Sequence, residues 1–203
     1  MKLNRKWRLL LLTGGASGEH DVSVKSRDFI LNFIDTNKYE IIRVLIKKDK
    51  TWVLEPLDQE CHLVYQSHKC ALLCNEQIID FDVLFPLVLG DGEDGSLQGL
   101  FESLNAPYVG TRVLGSAICF DKISSKHIML SHDLAKKTGI RCVPFVEYSS
   151  DMSFACACKM LECGKLFIKP SNSGSTLGAN RATNQAEFEQ AIIEAKKYDD
   201  AVL

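Results

Sequence analysis

The stretch Gly164–Arg181, "GKLFIKPSNSGSTLGANR", decides how the sequence is read. A short apolar run, Leu166-Phe167-Ile168, ends at Lys169-Pro170 and has the length and composition of a buried strand. Eight small or polar residues follow, Ser171 to Gly178. Lys169 stands at the strand end as a cation, and Ser171, Ser173, Ser175 and Thr176 bring hydroxyl donors. Gly174 and Gly178 let backbone amides come close to an anion. Such a loop between two strands can fold over a triphosphate as a lid. It can equally be an ordinary polar hairpin loop, and the stretch by itself leaves both readings open.

Working outward, strand and helix patterns alternate. Residues 7–13, "WRLLLLT", read as a fully buried strand because the apolar residues run without alternation. Residues 19–35 read as a helix, 39–47 as a second strand and 51–55 as its hairpin partner. Residues 56–79 carry no clear pattern. Residues 82–89 read as a buried strand and 96–105 as a helix. Residues 115–139 read as helical, broken near Asp121 and closed by Gly139. The expected elements after that are a strand at 141–148, a helix at 151–163 and a strand at 165–169. A helix at 184–198 has Asn184 as N-cap with Glu187 in the reciprocal position, and "AVL" (201–203) opens one more strand. The fold class is α/β, with the seam between two units near 115–122.

Composition narrows the functions. A net charge of −2 over 203 residues gives no electrostatic case for nucleic acid or an anionic membrane. "MKLNRKWRLLLLTGG" imitates a signal peptide, but four leucines fall short of the roughly 7–15 apolar residues that such a segment needs. Eight cysteines form no C-x-x-C pair, so reduced thiols are expected. Cys61, His62, His68, Cys70 and Cys74 lie close in sequence, though their spacing matches no standard zinc frame. No metal ligand is assigned.

Three further motifs bear on chemistry. "GDGEDG" (Gly90–Gly95) has the form of a dinucleotide fingerprint and would suit a nicotinamide-dependent oxidoreductase. Glu93 and Asp94, however, would set two carboxylates where a pyrophosphate should sit, and they are better placed to cap the helix from Ser96. In "TGGASGEHDVS" (Thr13–Ser23), Gly14-Gly15 permits a tight turn and the following helix start offers free amides. Amides for a carboxylate and Glu19 for an ammonium would together suit a zwitterion. Alternatively, Glu19 and Asp21 only cap the helix. Lys122 and Lys126 lie four apart on one helix face, which could meet phosphates or simply water.

Taken together and in order, these stretches resemble the D-alanine–D-alanine ligases of the ATP-grasp superfamily. "LLTGGASGEHDVSVKS" looks like the family's opening signature, and "GEDGSLQGLFESLNAPYVGTRVLGSAICFDK" like its second. "FIKPSNSGSTLG" is similar to its phosphate-lid strand and loop. The resemblance implies an N-terminal parallel-sheet, Rossmann-like domain over 1–118. It implies a partial ATP-grasp domain, the central lid subdomain, over 119–203. The implied reaction is ATP-dependent: the carboxylate of one D-alanine becomes an acyl phosphate, and the amine of a second attacks it. The dipeptide serves peptidoglycan synthesis, cell-wall biogenesis and cell shape. In this reading Glu19 binds the first substrate's ammonium, and Ser175 bonds beside it. Lys122 and Lys169 contact ATP phosphates, while Ser175, Thr176 and Leu177 wrap the γ-phosphate. Val109, Gly110 and Ser116 mark packing beside the site. A cytoplasmic protein and a homodimer through the N-terminal domain are also implied.

The sequence departs from the family pattern in two places. The family has a His-Gly pair before "GEDG". Here, in "LVLGDGEDG", Leu89 stands in place of the histidine and the loop is one residue short. The 203 residues also reach only the start of the second ATP-grasp half, where the family's adenine site and Mg²⁺ ligands are expected. The alternative to an active ligase is therefore an inactive remnant that keeps part of the substrate and ATP site.

Overall fold

The computed structural model describes residues 5–90, 92–131 and 136–203. The chain divides into two compact units, residues 1–117 and 118–203. The first is built on β1, Trp7–Gly14, whose Leu10, Leu11 and Leu12 are fully buried. It is followed by α1 (His20–Phe33), β2 (Tyr39–Ile46) and β3 (Trp52–Leu54). Next come β4 (Gln59–Gln66), β5 (Lys69–Cys74), β6 (Gln77–Ile79) and β7 (Val83–Pro86). The strand order in the sheet is β6-β5-β4-β3-β2-β1-β7. β1 runs parallel to both neighbours, with Leu10 opposite Ile42 on one side and Leu84 on the other. Flanked on both sides and buried on both faces, β1 shows the unbroken leucine run that a central parallel strand requires.

The sheet is only partly the parallel sheet expected. From β2 outward every pairing is antiparallel. Residues 56–79, without pattern in the sequence, form most of this meander. The turns explain why they were illegible. Ser67-His68 and Asn75-Glu76 each join two paired strands as two-residue loops, with φ of 51° and 65°, and 46° and 62°. Both central residues are left-handed, the geometry that normally announces itself as Asn-Gly or Asp-Gly. Neither loop contains the glycine that would have marked it.

Strand parity also settles the cysteine-histidine cluster. Cys61 pairs with Cys74, and Cys70 with Tyr65, so all three thiols share the core face. His62 pairs with Leu73 on the opposite face and His68 lies in the turn. Burial pushes the Cys61 thiol up to about 12, with Cys74 a smaller contributor, and burial pushes Cys70 up to about 11. Among the described residues no group of three or more His, Cys, Asp or Glu side chains could hold a metal ion. None of their helices is long and apolar enough to cross a membrane.

Helix α2 (Ser96–Ser103) starts after Gly95, whose φ of 101° suits glycine. A Cβ there would stand 3.0 Å from the Val113 carbonyl. The N-cap is Gly95, with no side-chain cap; of the two acids expected to cap the helix, Asp94 takes the Ser96 N–H at 2.8 Å from the residue before Gly95, and Glu93 turns to Gly90 N–H instead. Helix α3 (Val113–Phe120) follows.

In the second unit, the break at Asp121 is real: its carboxylate accepts from Ser124 N–H at 2.6 Å and starts α4, Lys122–Leu130. Residues 132–135 of the expected long helix lie outside the described residues; 136–138 are helical, and Gly139 has φ 66°. The expected strand at 141–148 makes no ladder; Tyr148 alone donates its N–H to Val202 O, at 2.9 Å. α5 (Phe154–Met160) is capped by Ser153. β8 (Leu166–Ile168) pairs antiparallel with β9 (Asn180–Ala182). α6 (Gln185–Ala195) packs Phe188, Ala191 and Ile192 onto this hairpin. Asn184 caps α6 by accepting from Glu187 N–H, but Glu187 reaches one residue further back than expected. It takes Thr183 N–H and Oγ1–H at 2.7 Å each.

Two outcomes follow for stability and reactivity. Leu84→Ala should cost the first unit about 2–5 kcal/mol in urea unfolding, because Leu84 is fully buried beside β1. Alkylation of the native chain near pH 8 should label exposed Cys119, Cys156 and Cys163 and spare Cys61, Cys70 and Cys74. Rapid labelling of the last three would contradict the burial described.

Candidate functional site

In the first unit, the site begins where β1 ends. Gly14 and Gly15 have φ of 87° and 108°, and a Cβ on Gly14 would stand 2.2 Å from the Ile46 carbonyl. Any side chain there would push β1 and β2 apart, so glycine is required. The fully buried Ser23 hydroxyl ties the turn down. It accepts Gly14 N–H at 2.7 Å and donates to Leu87 O at 2.5 Å. This one hydroxyl links the start of α1 to the ends of β1 and β7. The His20 ring bonds Gly15 O at 2.7 Å through Nδ1, and since a carbonyl only accepts, the proton is on Nδ1.

Ser17 donates to Leu89 O at 2.9 Å and accepts Glu19 N–H at 3.2 Å. Glu19 is buried at 7% exposure and makes no side-chain cap on α1. Its carboxylate lies against Gly90, where a Cβ would come 3.0 Å from Oε2 and 2.8 Å from Ser17 Oγ. Glu93 Oε2 takes Gly90 N–H at 2.9 Å. Two carboxylates thus converge on Gly90, which favours a cation and opposes a pyrophosphate. The dinucleotide reading of "GDGEDG" is contradicted by this geometry.

In the second unit, Lys122, Lys169 and the loop after β8 come together. The Lys122 ammonium donates to Ser171 O at 2.9 Å and also to Ser173 O. Its pKa is lowered, first by burial and then by the neighbouring Lys169. Two like charges near one another favour an anion between them. Ser171, fully buried, donates to Asp121 Oδ2 at 2.8 Å and accepts Ile123 N–H at 3.2 Å. Asn172 donates from Nδ2 to both Asp121 and Asp199, at 3.0 and 2.9 Å. Asp199 Oδ2 also takes Asn172 N–H at 2.7 Å. The base of the loop is therefore clamped between the start of α4 and the segment after α6.

The loop tip is a tight turn closed by Leu177 N–H to Gly174 O at 3.0 Å. Ser175 and Thr176 take its two left-handed positions, with φ of 48° and 63°. That conformation disfavours a β-branched residue such as Thr176. Glycines were expected to supply the loop's freedom, yet the strained positions are serine and threonine; Gly178 adds a third positive φ of 70°. The structure thus groups Lys122, Lys169, Ser175, Thr176 and Leu177 in the second unit and places Glu19 in the first. Asp199 and Asn172 carried no sequence signal, since their roles depend on contacts 27 residues apart.

Comparisons with known proteins show the family. The profile described as D-ala D-ala ligase N-terminus matches residues 8–111, and the D-ala D-ala ligase C-terminus profile matches 134–203. The chain belongs to the D-alanine–D-alanine ligase family. The D-alanine–D-alanine ligase of Limosilactobacillus reuteri is 36% identical over 99% of this chain and 57% of its own length. The solved D-alanine–D-alanine ligase of Coxiella burnetii superposes with a TM-score of 0.84 at 28% identity, over 97% of this chain and 62% of that one. The Bacillus anthracis enzyme complexed with ATP gives 0.66 at 25% identity, over 97% and 57%. The chain thus spans about three-fifths of the length of the relatives it matches.

The clamp generates its own test. Asn172→Ala removes the two side-chain hydrogen bonds to Asp121 and Asp199 and leaves only the main-chain N–H bond to Asp199. Amides 173–178 should then exchange about tenfold faster, with little change in the first unit. Unchanged exchange in the loop would show that the clamp does not restrain it.

Proposed function

We propose that this chain carries the first-substrate and ATP-phosphate sites of a D-alanine–D-alanine ligase, which joins two D-alanines through an acyl phosphate. The observation that carries this reading is the Lys122–Lys169 pair at the base of the 171–178 loop, in a member of this family. Lys122 and Lys169 would neutralise triphosphate oxygens, and amides of Ser175 to Leu177 would close over the γ-phosphate. For that, Lys122 must exchange the Ser171 and Ser173 carbonyls for phosphate. In the other unit, Glu19 would hold the substrate ammonium, with the amides beyond Gly14-Gly15 toward its carboxylate. Leu89 offers a carbonyl already taken by Ser17, so it cannot replace an imidazole there.

Mg²⁺ accompanies the nucleotide in this proposal. The described residues present no carboxylate cluster that would hold it, since the oxygens of Asp121 and Asp199 converge on Asn172. No step is therefore assigned to a metal held by them. The reading extends to cell-wall biogenesis and cell shape in the cytoplasm. It also extends to a homodimer through the first unit. That is supported by Phe29 and Phe33 on α1, which are 65% and 74% exposed with ring centroids 4.7 Å apart.

Calorimetry with Mg·ATP tests the proposal. Saturable binding should weaken about tenfold or more in Lys169→Ala. Affinity should also fall as pH rises through the lowered Lys122 pKa, at a lower pH than an ordinary lysine would give. The sign follows because only the protonated ammonium attracts phosphate. Absence of binding would favour the alternative, an inactive remnant. A product assay for D-alanyl-D-alanine then separates binding from ligation.

A further inference from the structure

The C-terminal end of α5 folds one cysteine back over another. Leu161 is the C-cap, with φ −96° and ψ 0°. Glu162 then takes a left-handed φ of 51° and reverses the chain. Its N–H goes to Lys159 O at 3.4 Å, and Cys163 N–H goes to Cys158 O at 3.0 Å. Those two bonds define a Schellman motif, in which the residue two beyond the cap packs its side chain on the residue three before it. Here that pair is Cys163 and Cys158.

A 3.0 Å bond between their main chains keeps the two α-carbons within about 7 Å at full stretch, and bent carbonyl and amide angles bring them nearer. A disulfide spans roughly 4.4–6.8 Å between α-carbons. Burial first, and then the adjoining Cys163 sulfur, push the Cys158 thiol above the ordinary cysteine range. Cys158 is half-buried against the second unit's core, while Cys163 is exposed and its thiol donates to Lys165 O at 3.3 Å. One sulfur is thus open to a reagent in solution and the other waits behind it. The remaining thiols differ. Cys156 is exposed on another side of α5. Cys61 and Cys74 stand opposite each other across β4 and β5, but both are buried, out of reach of such a reagent.

We propose that Cys158 and Cys163 form a dithiol–disulfide modification site whose oxidant is a small disulfide such as glutathione disulfide. The Cys163 thiolate attacks one sulfur of that disulfide, and the first glutathione leaves as a thiolate. Cys158 then gives up its proton and attacks Cys163 Sγ, and the second glutathione leaves. Two protein thiols are oxidised to one S–S bond, one glutathione disulfide is reduced to two glutathiones, and the two protons end on those thiols. The second step needs no rearrangement of the chain, because the Schellman motif already holds the two residues together. Oxidation ends the Cys163 bond to Lys165 O and closes residues 158–163 into a covalent ring. The last turn of α5 is then fastened to the segment that enters β8 and leads to Lys169. A site of this kind suits a reducing compartment, where such a pair is a transient, redox-responsive bond and not a permanent staple.

The test needs neither ATP nor D-alanine, so it stands apart from the ligase reading. The reduced, folded 203-residue chain is incubated with glutathione disulfide, quenched in acid, alkylated, digested with trypsin and mapped by mass spectrometry. Trypsin cuts after Lys159 and Lys165, so the expected disulfide joins the peptide ending in Lys159 to Met160–Lys165. The same link should form in Cys156→Ser, which excludes Cys156 as the partner. Cys158→Ser should stop at one glutathione held on Cys163, and Cys163→Ser should slow modification of Cys158 at least tenfold. In the oxidised chain, amides 161–165 should exchange at least tenfold more slowly than in the reduced one. Both serine variants should lack that slowing. Three outcomes would overturn the proposal. One is a glutathione that persists on Cys163 of the unsubstituted chain, and another is Cys163 joined to a cysteine other than Cys158. The third is oxidation of Cys156 or Cys119 with Cys158 and Cys163 left reduced.

Discussion

The ammonium of Lys122 is the constraint on which the second unit's chemistry turns. It is partly buried, sits near another lysine, and is satisfied by two main-chain carbonyls of the loop it would serve. Buried charge without partners is expensive, and here the loop itself provides the partners. The same contact therefore holds the loop base down and keeps the cation in place. A phosphate offers the ammonium a stronger, charged acceptor. Exchange of carbonyl for phosphate would release the loop tip, whose Ser175 and Thr176 already occupy disfavoured backbone conformations.

The first unit solves a different problem with similar economy. A parallel strand buried on both faces must end in a turn that brings amides to a ligand without orphaning its own polar groups. Gly14 permits the close approach to Ile46, and the Ser23 hydroxyl satisfies Gly14 N–H and Leu87 O together. Glu19 and Glu93 then meet at Gly90 with no room for a side chain larger than hydrogen. In the proposed role, charge and shape at that point would suit the substrate's ammonium.

Most of the fold was legible where one rule governed a segment. The leucine run of β1, the Asp121 break and the Asn184 cap each depend on local pattern, and each appears in place. The β4–β6 meander was not legible, because its turns use Ser-His and Asn-Glu at positions where glycine would have been the signal. The 141–148 segment has strand composition but lacks a ladder, since a strand is a property of its neighbours as much as of itself. At the site, lysines and hydroxyls could be named from their types. The Asp121–Asn172–Asp199 clamp could not, because three polar residues distant in sequence acquire a role only when folding joins them.

The most direct measurement follows the Lys122 ammonium itself. Its side-chain ¹³Cε resonance can be titrated with pH, with and without a non-hydrolysable ATP analogue and Mg²⁺. Without nucleotide, the pKa should lie below the ordinary lysine range, because burial and Lys169 oppose the charge. With nucleotide, it should rise, because phosphate replaces neutral carbonyls as the partner. A titration unchanged by saturating nucleotide would contradict the account, since Lys122 would then hold only its own loop.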